Sequence, residues 1–400
     1  MVHLVSMPFL VTPADRASFN RCRRQWDFGA GTRQNLEPLQ SAAAPDLDRA
    51  LRDALAVYYY PGMWDWDRQV TLPLVVQGLE RALARQQQRS GDSADARRWQ
   101  HQLEAGRGML ARYFAWAPTV DTFAPVLVEA DYEVNVLDPA RPSDGLVTAA
   151  GEAIRYRGRI DMMAVDRRDA YWIVRHRLVH GDWPPTGQLA ADEETLAACW
   201  AWEQFYIGMA ITGIVYNELR RPVRSTGEPA GGQPQSAARR WRLRRPREAA
   251  APPAVRQHEP SGGGRSIPQH RRMYAQAREP RRLEPVEQRA GDGFRRTWLR
   301  RAPADIAGAG RRLGADVAGM IRRNPDVSPN PSDDHCPACP YLDPCTALSA
   351  GTDAGPILLS GYRRRPPEGP EEGRLGGGAW GMGRGAAPPR FRGSQGSQGS

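Results

Sequence analysis

Three stretches near the middle of the chain alternate apolar and polar residues with a period of two, and this restricts the fold more than any other feature of the sequence. Over 126–136, Val126, Val128, Ala130, Tyr132, Val134 and Val136 alternate with Leu127, Glu129, Asp131, Glu133 and Asn135. Over 154–164, Ile154, Tyr156, Ile160 and Met162 alternate with Arg155, Arg157, Arg159 and Asp161. Over 170–178, Ala170, Trp172, Val174 and Leu178 alternate with Tyr171, Ile173, Arg175 and Arg177. Successive side chains of a strand point to opposite faces, so each stretch predicts a half-buried strand. The polar turn at 166–169 makes a hairpin of the last two. A fourth strand is predicted over 211–219, where β-branched residues crowd Gly213.

Helical periods surround these strands. Thr12-Pro13-Ala14-Asp15 reads as a capping residue with Pro at the first helical position, opening a helix that carries Phe19, Cys22 and Trp26 on one face. Leu47, Leu51, Leu55 and Tyr58 form the core-facing stripe of a second helix, which Pro61-Gly62 ends. Further helices are predicted over 74–88, 95–116 and 192–209. Residues 292–323 also read as helical, with Pro303-Ala304-Asp305 as a start. Strands and helices in this order predict an α/β fold, a mixed sheet flanked by helices.

The 400 residues include 40 Gly and 35 Pro, unevenly placed. The expected divisions are a core over 1–220, a basic Gly/Pro-rich linker or insertion over 221–272, a helical part with the cysteines over 273–350, and a disordered tail over 351–400. The formal charge is +10 and the chain contains no lysine. A basic balance favours an anionic partner such as nucleic acid, although exclusive arginine usage is also what GC-rich coding produces. In the linker, Arg239, Arg240 and Arg242 are candidate nucleic-acid contacts or a solvated basic arm. No run of about eighteen apolar residues predicts a membrane span. The first residues lack a basic leader and a small-residue cleavage site, so a cytoplasmic location is expected, where close cysteines mean metal more often than disulfide.

Three of the five cysteines fall in His335–Cys345, HCPACPYLDPC, as C-x2-C-x5-C at Cys336, Cys339 and Cys345. The short first spacing lets two thiolates face one centre. Three such ligands are one short of a tetrahedral zinc site or a 4Fe-4S cluster. His335 would complete a local zinc knuckle, whereas Cys22 would join the two ends of the fold. Cys199, on an apolar helical face, reads as a buried small hydrophobe.

This order of helices, meander, helix, strand and cysteine triad resembles the RecB-like branch of the PD-(D/E)XK nuclease superfamily. It is most similar to that branch's iron–sulfur members, the AddB-type helicase–nuclease subunits and the CRISPR-associated RecB-like exonucleases. The likeness covers about residues 12–220 and 290–348. It implies a restriction-endonuclease-like core and a C-terminal segment stapled by a 4Fe-4S cluster on Cys22, Cys336, Cys339 and Cys345, with Arg21-Cys22-Arg23-Arg24 similar to the family's N-terminal cysteine setting.

The family pattern is GxxD on one strand and (D/E)xK on the next. Gly158-Arg159-Ile160-Asp161 fits the first, but Ile173-Val174-Arg175-His176-Arg177-Leu178 has Arg175 for the acid and Arg177 for the lysine. No histidine between His3 and His101 matches the one the family carries on an early helix, and Gln188, Glu194 and Gln204 match its glutamine motif imperfectly. The chemistry needs carboxylates that hold Mg2+ against the scissile phosphate. An arginine beside Asp161 opposes that, and Arg177 cannot lose a proton as lysine sometimes does.

The resemblance therefore implies a DNA-binding accessory module, catalytically degenerate, working with a helicase or repair subunit, with Arg175 and Arg177 on the nucleic acid. One alternative is an active Mg2+-dependent DNA nuclease using Asp161 and Glu129. The other is a Zn2+-stabilised interaction protein with no nucleic-acid role. In the plainest reading Asp161 pairs with Arg175 or Arg159, Tyr58, Tyr59, Tyr60, Trp64 and Trp66 pack a core, and His176 and His180 are polar residues at a hairpin end.

Overall fold

A computed structural model describes residues 9–39, 45–90, 96–221, 285–291, 293–322 and 325–365. Its strands are β1 (Phe9–Val11), β2 (Leu36–Pro38), β3 (Phe123–Asn135), β4 (Ile154–Asp166), β5 (Tyr171–Val179), β6 (Ile211–Arg220), β7 (Val286–Ala290), β8 (Phe294–Arg300) and β9 (Tyr362–Arg364). Its helices are α1 (Pro13–Arg21), α2 (Arg23–Gly29), α3 (Leu47–Tyr58), α4 (Arg68–Ser90), α5 (Ala96–Val120), α6 (Thr186–Ala190), α7 (Glu193–Phe205), α8 (Pro303–Met320), α9 (Leu342–Ser349) and α10 (Gly355–Gly361).

The alternating stretches form an antiparallel meander, β3–β4–β5. Helix α7, capped by the Asp192 carboxylate, then crosses over to β6, which runs parallel to β5. Strand β8 pairs antiparallel with β6 and β7 with β8, while β1 lies parallel to the start of β4. The result is an α/β fold whose mixed sheet is covered on both faces. Helices α3, α4 and α5 bury Leu51, Leu55, Leu79 and Tyr113 against Val128, Met162, Trp172, Val174 and Val215. Helices α1, α2, α7 and α8 bury Phe19, Trp26, Trp200 and Leu313 against Tyr132, Ile160, Ile173, Ile214 and Tyr216. Strand β6 is buried on both sides, as a central strand between two helical layers should be.

The alternation does not run unbroken through the meander. Val128 packs in the first core but Ala130, Tyr132, Val134 and Val136 in the second. On β4 the same reversal separates Met162 from Ile160. The break falls at Glu129, whose φ is +46°, a left-handed backbone rare for a residue with a Cβ. Its neighbours pair as Val128 with Met162 and Ala130 with Ile160, which leaves Glu129 opposite Asp161. Both strands thus change facing at the two carboxylates.

Other sequence expectations need correction. The first helix is two helices, because Cys22 adopts extended backbone (φ −159°) and separates α1 from α2, although Phe19, Cys22 and Trp26 are all buried. Residues 294–300 are a strand of the main sheet, not helix. Their apolar alternation is masked because Arg295 and Arg296 are themselves buried. The chain just past Gly351 is not all tail, since α10 and β9 follow and β9 pairs antiparallel with β2. His176 is no hairpin-end residue but is buried in β5. Arg239, Arg240 and Arg242, with nearly all of 221–272, lie outside the described residues. Among the described residues, no helix is long and apolar enough to cross a membrane.

Candidate functional site

Asp161 stands at the reversal, on the strand that carries the GxxD pattern. Gly158 is required there because Tyr132 lies across it: a Cβ would sit 2.2 Å from the Tyr132 hydroxyl oxygen. The Asp161 side chain is buried, and its Oδ2 accepts the His176 backbone N–H at 2.8 Å. Its Oδ1 lies 3.9 Å from a guanidinium nitrogen of Arg175 and 3.9 Å from one of Arg52, which α3 brings in from the other helical layer. Arg175 also donates to Glu194 on α7 at 2.9 Å. Burial opposes the charge on Arg175, but Asp161 and then Glu194 outweigh it and hold the guanidinium above its ordinary range.

Burial, then the charge of Asp161, pushes the Glu129 carboxyl up to about 7. Arg159 pulls in the other direction from 3.4 Å, but its closer partner is Asp131, at 2.6 and 2.9 Å. Arg177 is turned to the buried Glu218, 3.6 Å away, and Glu218 also accepts Arg295 Nε at 2.6 Å. The structure therefore brings Asp161, Glu129 and Arg175 together as the sequence suggested, and places Arg177 on a different carboxylate. Asp161 pairs with Arg175 rather than with Arg159. Arg52 and Glu218 escaped sequence reasoning, and Glu194 was met only as an imperfect match to the family's glutamine motif. Arg52 sits in the charged flank of an amphipathic helix, which by itself reads as solvated surface. The cavity beside Asp161, lined also by Pro13, Tyr132, Arg175 and Glu194, is about 20 Å³, room for about one water. A larger open groove of about 580 Å³, between α4 and α5, is lined by none of these residues.

Behind β5 lies a buried polar network. Asn217 donates to Tyr113 at 2.9 Å and meets His176 Nδ1 at 2.8 Å, and Arg296 reaches Tyr59, Tyr113 and Asn217 at 3.1 Å each as well as Asp121. Tyr58 and Tyr59 are core residues here, and Tyr59 stacks on His176. Burial, then the positive charge of Arg296, lowers the His176 pKa to about 3, so the imidazole is neutral.

The second candidate site joins both ends of the fold. Cys22, at the break between α1 and α2, accepts the Asn330 backbone N–H at 3.5 Å, while Asn330 Nδ2 binds the Arg21 carbonyl at 2.9 Å. Cys336 accepts the Ser332 N–H at 3.3 Å, and Cys345, on α9, faces Arg24 Nη1 at 3.7 Å. Cys339 is raised above its ordinary range, first by burial and then by the charges of Cys22, Cys345 and Cys336, while a hydrogen bond from the Tyr341 backbone lowers it in part. Cys22, Cys336 and Cys345 thus each have one N–H donor to sulfur. Sulfur is a weak acceptor as a thiol, and charge-assisted bonds form to it as a thiolate. His335 Nε2 meets the Asn330 carbonyl at 2.9 Å. Cys199 is elsewhere, fully buried, its thiol pushed up to about 12 chiefly by burial. Among the described residues, no group of three or more His, Cys, Asp or Glu stands as a site for a single metal ion. Cys339 is nevertheless within electrostatic reach of Cys22, Cys345 and Cys336.

In comparisons with known proteins, no family model and no curated protein matches this chain.

Proposed function

We propose that this chain is a DNA-binding protein of the PD-(D/E)XK nuclease superfamily, catalytically degenerate, with a 4Fe-4S cluster held by Cys22, Cys336, Cys339 and Cys345. One observation carries the reading: Arg52 and Arg175 converge on the same oxygen of Asp161, so guanidinium stands where this pattern would place a metal ion. A cation fixed on a side chain attracts a phosphate but cannot polarise it and deliver water as a metal ion does. The antiparallel meander, the crossover helix and the parallel fourth strand, with Gly158 and Asp161 on the second strand, support the superfamily assignment.

The N–H donors on Cys22, Cys336 and Cys345, with Cys339 in electrostatic reach of all three, support the cluster, and His335, engaged with a carbonyl, lends less support to a local zinc knuckle. When bound, the cluster supplies a covalent cross-link between Cys22 and the C-terminal triad. Arg175 and Arg177 of β5, with Arg52 of α3 beside them, supply fixed positive charge, and DNA contacts of this kind are directed at the backbone and weaken with salt. Unwinding or cleavage would then belong to a helicase or repair subunit working beside the chain in the cytoplasm.

A second reading has its own observation. Glu129 holds a strained backbone opposite Asp161, and strain of this kind gathers at functional sites. Were the arginines drawn off, Glu129 and Asp161 would be two carboxylates for one Mg2+.

The test is fluorescence anisotropy with single- and double-stranded DNA across a salt series, beside cleavage assays in Mg2+ and Mn2+. The degenerate reading expects salt-sensitive binding, weakened in Arg175→Ala, and no cleavage. Cleavage that Asp161→Ala abolishes would establish the second reading. Absence of binding at low salt would overturn both.

A further inference from the structure

We propose that Arg24 tunes the redox character of the thiol site through Cys345, an inference that rests on the cluster reading above. Two of the four sulfurs meet neutral backbone amides, Cys22 that of Asn330 and Cys336 that of Ser332. Cys345 meets a cation. Arg24 Nη1 faces the Cys345 sulfur at 3.7 Å, and it is pinned there by the Cys345 carbonyl at 3.1 Å and the Ser349 hydroxyl at 2.8 Å. Ser349 in turn donates to the same Cys345 carbonyl at 2.9 Å, which closes a small ring of polar contacts at the end of α9.

Three other arginines of these segments pair with acids. Arg23 pairs with Asp326 at 2.8 Å, Arg33 with Asp27 at 2.5 Å, and Arg363 with Glu37 at 2.8 Å. Among the described residues, Arg24 has no carboxylate partner, and its acceptors are a sulfur, a carbonyl and a hydroxyl. Its charge is thus directed at one ligand thiolate.

The potential of an iron–sulfur centre follows net charge and hydrogen bonding at its sulfurs. A cation against one sulfur favours the electron-rich state, and so raises the reduction potential. An amide donor gives the hydrogen bond without the charge, which is the distinction between Arg24 and the two amide donors. Arg24 acts through Cys345 and is a positioning residue, not a ligand.

The experiment uses the full chain purified without oxygen, as wild type, Arg24→Ala, Arg24→Gln and Arg24→Lys. Iron and sulfide are measured per chain, and the midpoint potential is followed by absorption in a redox titration. Arg24→Ala and Arg24→Gln should keep the iron content of wild type and become harder to reduce, while Arg24→Lys stays near wild type. An unchanged midpoint in Arg24→Ala and Arg24→Gln, with iron retained, would overturn the proposal and leave Arg24 a clamp on α9. Loss of iron from every variant, Arg24→Lys included, would do the same. Failure of the cluster reading is separate, because it appears in the wild type as an absence of iron and sulfide.

Discussion

The thiol site and the carboxylate site are both faced by arginine, with opposite consequences. At the thiols one guanidinium approaches one of four sulfurs, and the other two observed donors to sulfur are uncharged amides. At the carboxylates Arg52 and Arg175 close on Asp161 while Arg159 reaches Glu129, and the same arginines are held by Asp48, Glu194 and Asp131. Hydrogen bonds from neutral donors stabilise a ligand set without competing with what it binds. A neighbouring cation competes directly. Under the function proposed above, the chain keeps the chemistry of holding a cluster and gives up the chemistry of holding a catalytic metal.

The largest effect should come from Cys22→Ala. Loss of a cross-link between distant parts of the chain costs on the order of 5 kcal/mol in the entropic account. Iron content and urea unfolding should fall together. Cys199→Ala, which only trims a buried side chain, should cost about 1–2 kcal/mol and leave iron untouched. Equal costs for the two would erase the distinction between a ligand thiol and a core thiol.

The carboxylate side is sharpened by pH. Glu129 has a folded-state pKa of about 7, raised from 4.5. Folding therefore disfavours its ionised form, and this penalty is absent below about pH 4.5, grows as pH rises and is complete above about pH 7. Glu129→Gln should be more stable than wild type by on the order of 3 kcal/mol at pH 8, and about equal to it at pH 4. A pH-independent difference would show that Arg159, not burial, governs this carboxyl.

His176 tests the strand behind Asp161. Its pKa is lowered from 6.5 to about 3. The stability tied to the neutral imidazole is complete above about pH 6.5 and is lost as pH falls toward 3, amounting to roughly 2 kcal/mol by pH 5. Chemical unfolding of His176→Gln over this range should lack that slope, and a slope identical to wild type would assign the acid sensitivity to other groups.

The smallest effect is expected on the outer ladder, where Arg157, with a side chain 56 % exposed, pairs with Glu133 at 2.7 Å. Arg157→Ala should change stability by no more than about 0.5 kcal/mol, and less at high salt. A loss above 1 kcal/mol would mean that the ladder helps hold the reversal at Glu129.

Legibility followed the physics of each segment. The meander and β6 were readable because one or both faces bury apolar side chains at strand period. The reversal within the meander was not, since a single left-handed residue at Glu129 leaves composition and period almost unchanged. Strand β8 was hidden because its buried positions include Arg295 and Arg296, whose charges are answered by Glu218 and by Asp121, residues remote in sequence. Asp161 and Glu129 were nameable as a pair, but Arg52 was not, for nothing in α3 marks one arginine as turned inward. The triad was evident from spacing alone, while the position of Cys22 beside it depends on how α1 and α2 pack.

The change of facing at Glu129 and Asp161 sets these carboxylates at the level of the sheet itself. Asp161 is touched from one side by Arg52 of α3 and, through Arg175, is tied on the other to Glu194 of α7. The sheet is here a pivot, not a partition. An anion that drew Arg175 outward would let go of α7 and leave α3 as the remaining counterweight, so a single contact at this spot would be felt by both helical layers at once.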